Sequence, residues 1–89
     1  MEHIFKEIEK HRHEQDAKHG KNNHHPFVWL AILGEEVGEA NKAALETEFG
    51  YPDNNGTFDE YREELIQVAS VAVAMIQNID DNPIKYNRK

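Results

Sequence analysis

The sequence predicts an all-α protein in which three main helices form an oligomeric helical bundle. Three observations lead to that prediction. Two long segments repeat apolar residues at alternating spacings of three and four, and no segment alternates apolar and polar residues as a strand does. The length of 89 residues suits a single domain with a thin core. We expect one domain over residues 1–89, with helices at about 2–18, 26–49 and 57–79 and a tail at 80–89.

The first predicted helix is the least apolar of the three. Its stripe of Ile4, Phe5 and Ile8 gives way to polar residues further along the chain. A polar linker at residues 20–25 follows. Pro26 then suits the first position of the second helix, because proline has no N–H to leave unpaired there.

The second predicted helix has a clear end. Gly50 fits the position after the last helical residue, and Pro52 lies just beyond it. The loop at residues 51–56 is rich in turn-forming residues, so we expect a short connection to the third helix. The main apolar stripe of the second helix contains Leu30, Leu33, Val37, Ala40 and Ala44.

The third predicted helix opens on a capping box, in which Thr57 caps the first turn and Glu60 follows three residues later. Between residues 65 and 76 this helix is apolar on nearly every face, which predicts burial on all sides. Three helices cannot enclose one of their own, so we expect a homo-oligomer whose second and third helices share a bundle. The alternative is that the first helix and the termini cover the third. The main apolar stripe contains Leu65, Val68, Ala72, Met75 and Ile79.

The composition excludes several classes of protein. A formal net charge of -7 opposes binding to nucleic acid, whose affinity comes largely from basic residues. The longest apolar run, residues 68–76, is too short to span a bilayer, and the first residues lack the layout of a signal peptide. There is no cysteine for disulfides or thiolate metal sites. We expect a soluble cytoplasmic protein with neither nucleic-acid nor membrane partners.

Each long helix also carries a second stripe, and this one contains acidic residues. The spacing keeps each stripe on one face of its helix. If the helices pack antiparallel, as a short loop allows, the acidic residues of the two stripes meet. The alternative is that these glutamates are solvated and only flank a core stripe. The second stripes are Ile32, Glu36, Glu39 and Ala43 on one helix and Glu64, Gln67, Val71 and Ala74 on the other.

Three carboxylates that converge inside a bundle need a cation. Desolvation and mutual repulsion raise their pKa values or destabilise the fold if they stay charged. A hard divalent ion such as Mg²⁺ or Mn²⁺ removes that penalty and prefers oxygen ligands. We therefore expect a magnesium site that contains Glu36, Glu39 and Glu64.

The strings around these acids resemble a known family. L-G-E-E-V-G-E at residues 33–39, followed by E-E-L-I-Q at residues 63–67, resembles the MazG-like members of the all-α nucleoside triphosphate pyrophosphohydrolases. Their signature is E-x-x-E on one helix and E-x-x-D on the next. Residues 23–32 also resemble the entry to the metal helix in that family, and the resemblance extends from about Asp16 to Ile79.

The resemblance implies Mg²⁺-dependent hydrolysis of a nucleoside triphosphate, (d)NTP, to the monophosphate and pyrophosphate, by attack of water at the α-phosphorus. It also implies a homodimer or homotetramer. Glu36, Glu39 and Glu64 match the family's metal ligands, and we expect Mn²⁺ to substitute for Mg²⁺ as the metal. Glu36 would also be catalytic, and Glu35, beside it, is the candidate general base or orienting group for water.

One position departs from the family pattern. Gln67 stands where the family has aspartate, and its amide oxygen can bind Mg²⁺ but supplies no charge. We expect Gln67 to be the fourth metal ligand of an active or slowed enzyme. The alternative is a catalytically weakened nucleotide-binding protein or a structural oligomeric helical module.

Three further residues are candidates for contacting the substrate. Lys42 lies on the same side of its helix as Glu39 and can reach a phosphate, or it pairs with Glu46 on the surface. The resemblance places His24 beside the nucleotide, although histidines in a linker are more often caps or exposed residues. Trp29 can stack on a base or serve as a core residue.

Two other metal chemistries are disfavoured. A redox or storage di-metal bundle requires Glu-x-x-His pairs, and neither acidic stripe contains the histidine. The chain has six histidines, but they show no helical pair with a third ligand that would suit zinc.

Overall fold

The computed structural model describes residues 1–21, 23–50 and 56–86. Over these residues the chain forms three α-helices and no strand, which confirms the all-helical prediction. The helices are α1 (Glu2–His19), α2 (Pro26–Phe49) and α3 (Phe58–Asp80), and each bound lies within one residue of the expected position. The predicted turn-rich loop falls mostly on residues 51–55, and residue 22 of the predicted linker is also outside the described ranges.

The helix ends form for the local reasons that the sequence indicates. Pro26 is the first residue of α2, and the Nδ1 of His25 accepts a hydrogen bond from the N–H of Phe27 at 3.2 Å. Gly50 ends α2 in the left-handed conformation at φ 66°, which glycine adopts without steric cost. The Thr57 hydroxyl accepts a hydrogen bond from the N–H of Glu60 at 3.1 Å and so caps α3.

Helix α3 is the central helix and packs against both of the others. It runs antiparallel to α2: the Thr47 hydroxyl donates to the Thr57 carbonyl at 3.0 Å near one end, and Trp29 packs with Val71 and Ala74 near the other. The neighbouring pair is therefore arranged as the acidic-stripe hypothesis requires. None of the helices in the described ranges is both long and apolar enough to cross a membrane.

Helix α1 is held mainly by polar contacts, because none of its residues is buried. The guanidinium of Arg62 donates to the Glu7 carboxylate at 2.8 Å, and this hydrogen bond holds the pKa of Glu7 below its usual value. Further along, the Nε of Arg12 donates to the amide oxygen of Gln77 at 3.1 Å. The faint apolar stripe of α1 thus contributes little to the core.

Burial within the chain does not follow the main apolar stripes. On α2 each stripe has one buried residue, Ala40 in the main stripe and Ala43 in the second, and on α3 only the second stripe has buried residues. We call the main apolar stripes, which contain Leu30 and Leu65, the outer stripes. We call the second stripes, which contain the acids, the inner stripes. In the outer stripes Leu30, Val37 and Leu65 are 52%, 41% and 43% exposed, whereas Val71 and Ala74 of the inner stripe are each 4% exposed. The buried apolar residues are Trp29, Ala40, Ala43, Ile66, Val71 and Ala74.

Several of the buried residues of α2 and α3 are small. Ser70 of α3 is completely buried, and its hydroxyl donates to the Ile66 carbonyl one turn earlier at 2.7 Å. That hydrogen bond lets a polar side chain be buried without an unpaired donor. Small side chains permit close helix packing, and acids from both inner stripes line one cleft.

Candidate functional site

An acidic cleft lies between α2 and α3, toward the end where their connecting loop lies. Its volume is about 200 Å³. Glu39 from α2 and Glu64 from α3 both line it, as the antiparallel packing of the inner stripes predicts. Lys42 is the one basic side chain among the lining residues that the structure describes. The lining consists of Glu39, Lys42, Ala43, Glu46, Glu60, Glu63 and Glu64.

The environment of the acidic cleft raises the pKa of Glu64. Burial raises the pKa of its carboxyl above the usual 4.5, and the negative charges of Glu36 and Glu39 raise it further. Glu63 and Glu60 act in the same direction with smaller effects. The structure thus brings the three predicted glutamates near enough to interact, and it adds two acids from the first turns of α3.

The three carboxylates interact electrostatically, but they are not arranged as the ligands of one metal ion. Within the described ranges, no group of three or more histidine, aspartate or glutamate side chains is close enough to hold a metal ion. Glu36 lines a different cavity from Glu39 and Glu64, and the two cavities lie on either side of its turn of α2. The donor set fits a hard divalent cation, and coordination requires side-chain rotations at the cleft.

Gln67 lies toward α1 rather than in the acidic cleft. Its Nε2 is 3.5 Å from Nδ1 of His11, and Nε2 of the same imidazole is 3.0 Å from the Glu63 carboxylate. Gln67 lines neither the acidic cleft nor the cavity beside Glu36. Sequence reasoning missed His11, because its partners are more than fifty residues away in the chain and no local spacing signals the contact.

The remaining predicted site residues occupy varied positions. Glu35 is exposed on α2 and lines neither of the two cavities. Lys42 is 3.9 Å from the Glu46 carboxylate, so the surface pair is present, and both residues line the acidic cleft. Both roles considered for Lys42 are therefore compatible with its position.

A second cavity of about 170 Å³ lies at the opposite end of the α2–α3 pair, and we call it the Trp29 cavity. Trp29 is only 8% exposed and packs against Val71 and Ala74. The His24 ring meets it edge-on, with ring centroids 4.9 Å apart. Trp29 is thus a core residue that also forms part of a cavity wall. The lining consists of Arg12, Gln15, Asp16, His19, Gly20, Lys21, Asn23, His24, Trp29, Ile32, Glu36, Val71, Ala74, Gln77, Asn78 and Asp81.

Comparison of the chain with protein-family models, with curated protein sequences and with solved structures found no match.

Proposed function

We propose that this chain is a Mg²⁺-dependent nucleoside triphosphate pyrophosphohydrolase that converts (d)NTP to (d)NMP and pyrophosphate. The observation that carries the proposal is the acidic cleft, where Glu39 of α2 and Glu64 of α3 line one space. The influence of Glu36 on the Glu64 carboxyl supports the participation of all three. The resemblance of residues 33–39 and 63–67 to the MazG-like pattern supplies the reaction.

Each residue has a role that follows from its chemistry. Glu36, Glu39 and Glu64 would hold the cation, and Gln67 would add a neutral oxygen after turning from His11. Mg²⁺, when bound, neutralises phosphate charge and activates water. Glu35, exposed beside Glu36, would accept a proton from the attacking water.

Lys42 would bind a phosphate. It lines the cleft that contains Glu39 and Glu64, and no other lining residue in the described part of the chain carries a positive charge at neutral pH. A lysine ammonium binds phosphate oxygens through charge-assisted hydrogen bonds. Leaving Glu46 for the substrate would require only a side-chain rotation, because the present separation of 3.9 Å marks a loose pair.

The test is pyrophosphate release from a panel of nucleoside triphosphates with Mg²⁺. Glu39→Ala should lower the rate by about 100-fold or more, as expected for loss of a metal ligand. Glu48→Ala is the matched control, because Glu48 is an exposed acid on the same helix that lines neither cavity. The control should keep the rate of the unmodified chain.

A second candidate function is a nucleotide-binding or structural oligomeric helical module. The position of Gln67 beside His11 and the separation of the acids favour it. The same panel distinguishes the two functions. A chain that binds triphosphate but releases no pyrophosphate with either Mg²⁺ or Mn²⁺ would be the weakened binder, and one that does neither would be the structural module.

We also propose that the chain assembles as a homodimer or homotetramer through the outer stripes. Leu30, Val37 and Leu65 remain about half exposed on two neighbouring helices, which is unusual for large apolar residues in a thin core. Gly34 and Gly38 lie on α2 where an added Cβ would meet nothing within 4 Å. A second copy that covers these residues would remove apolar surface from water.

A further inference from the structure

Trp29 has a buried donor that the fold leaves unused. Its indole Nε1 is buried and has no hydrogen-bond partner among the residues that the structure describes. The indole N–H can only donate, and a buried donor without a partner destabilises the fold. Trp29 is only 8% exposed, and it lines the Trp29 cavity. An acceptor brought by a ligand would remove that destabilisation.

Both basic residues that carry a full charge at the Trp29 cavity are paired with acids, and Glu36 adds a further acid to the lining, so the cavity disfavours an anion. Arg12 pairs with Asp16 at 2.9 Å, and Lys21 pairs with Asp81 at 3.5 Å. All four of these residues line the cavity. Neither basic group is left over for a phosphate, in contrast to a site built for anions. The cavity therefore suits a neutral group.

The wall of the Trp29 cavity is partly apolar. Ile32, Val71 and Ala74 lie beside the indole in the lining. The amide of Asn78 is already engaged, because its Nδ2 donates to the Asn23 oxygen at 2.8 Å and its Oδ1 accepts from the Tyr86 hydroxyl at 3.1 Å. The cavity volume of about 170 Å³ lies below the range of about 300–1,000 Å³ that is typical of sites for drug-sized ligands, so only a small group fits.

We infer that the Trp29 cavity binds a neutral heterocyclic base, whose oxygen or ring nitrogen accepts a hydrogen bond from the Trp29 indole N–H. Glu36 lines this cavity and acts on the Glu64 carboxyl of the acidic cleft, so a base held here lies beside the acidic residues. The identification of the base as part of a nucleotide rests on the proposed function. The binding of the base itself does not.

The test uses the unmodified chain, in which Trp29 is the only tryptophan. A sample labelled with ¹⁵N-tryptophan gives one indole cross-peak. Uridine, cytidine, adenosine and guanosine are titrated separately without Mg²⁺, with ribose 5-phosphate and inorganic phosphate as probes that lack a base. We expect at least one nucleoside to move the indole proton downfield and to saturate, while both base-free probes leave it in place.

A variant then isolates the hydrogen bond. Trp29→Phe keeps an aromatic ring but removes the donor, and it should weaken nucleoside binding by about 5–10-fold when affinity is read from backbone amide shifts. Phe27→Leu is the control, because Phe27 is 76% exposed on the same turn and does not line the cavity. That control should bind nucleosides as the unmodified chain does.

Three results would overturn the inference: an indole peak that no nucleoside moves, a peak that the base-free phosphates move equally, or unchanged affinity in Trp29→Phe. The indole peak is measured on the unmodified chain, so the inference can be contradicted even if the Trp29→Phe chain fails to fold. Hydrolysis of triphosphates with no indole shift would contradict this inference but not the proposed enzyme. Nucleoside binding without hydrolysis would leave it standing and count against the proposed enzyme.

Discussion

Two stripes of α3 run side by side and meet different surroundings. The outer stripe begins at Leu65, which is 43% exposed, and none of its members is buried. The inner stripe begins at Glu64, one residue earlier, and continues to Val71 and Ala74, which are each 4% exposed. One stripe keeps large apolar side chains at the surface, while the other places an acid between two helices.

The difference teaches how so small a chain divides its apolar residues. Close packing of α2 and α3 uses small side chains such as Ala40, Ala43 and Ser70, which bring the helices together. Large side chains such as Leu65 would hold the helices apart at that interface. They therefore lie outside it, where a second copy of the chain is the proposed cover. The packing of the two helices also brings Glu64 near the acids of α2, whose charges raise the pKa of Glu64.

The largest expected effect concerns the outer stripe. Leu65→Glu should convert the proposed oligomer to a monomer, because a charge in an apolar interface is strongly unfavourable without a partner. Light scattering coupled to size-exclusion chromatography measures the mass. Lys6→Glu, an exposed change on α1, is the control and should not alter it. An unmodified chain that is already monomeric at high concentration would remove the role proposed for the outer stripe.

The next effect concerns the inner stripe, and it has two opposite parts. Glu64→Gln should lower Mg²⁺-dependent hydrolysis by about 100-fold or more, because a ligand charge is lost. The same change should raise the melting temperature of the metal-free protein at pH 7.5 by about 1–5 °C. Parallel rate measurements and calorimetric melting curves test both parts.

The sign of the stability change follows from the pKa of Glu64. Folding raises this pKa above 4.5, so the folded chain holds the proton more tightly than the unfolded chain. Near pH 4 and below, glutamate and glutamine should therefore give similar stability. As the pH rises through the raised pKa, the charged carboxylate increasingly destabilises the fold, and the advantage of Glu64→Gln should grow. An advantage that stays constant with pH would mean that charge is not its cause.

The smallest effect concerns the one departure from the MazG-like pattern. Gln67→Asp should tighten Mg²⁺ binding by about 10-fold in a calorimetric titration, because a carboxylate binds the ion better than an amide oxygen. Gln67→Asn shortens the side chain equally without adding charge and is the matched control. Equal affinities in both variants and the unmodified chain would mean that Gln67 remains beside His11 and never faces the metal.

The pairing of acids at the cleft could be predicted from the sequence, whereas the contacts of α1 could not. Glu39 and Glu64 were paired correctly across α2 and α3, because helical spacing and a short loop fix which faces can meet. The contacts of His11 were not predicted, and Gln67 was expected to contact only the metal. Both depend on how α1 lies against α3, and α1 has too few apolar residues to reveal its packing face.

The sequence by itself determined the helices of this protein, since Pro26, Gly50 and Thr57 act on their own neighbours through backbone geometry and capping hydrogen bonds. Only the tertiary structure decided which residues of each stripe are buried. Both stripes have the same period, so periodicity cannot rank them. The choice depends on how closely two helices approach, which is a property of paired side chains from distant parts of the chain. That approach put small residues inside, left Leu65 at the surface and enclosed the indole N–H of Trp29.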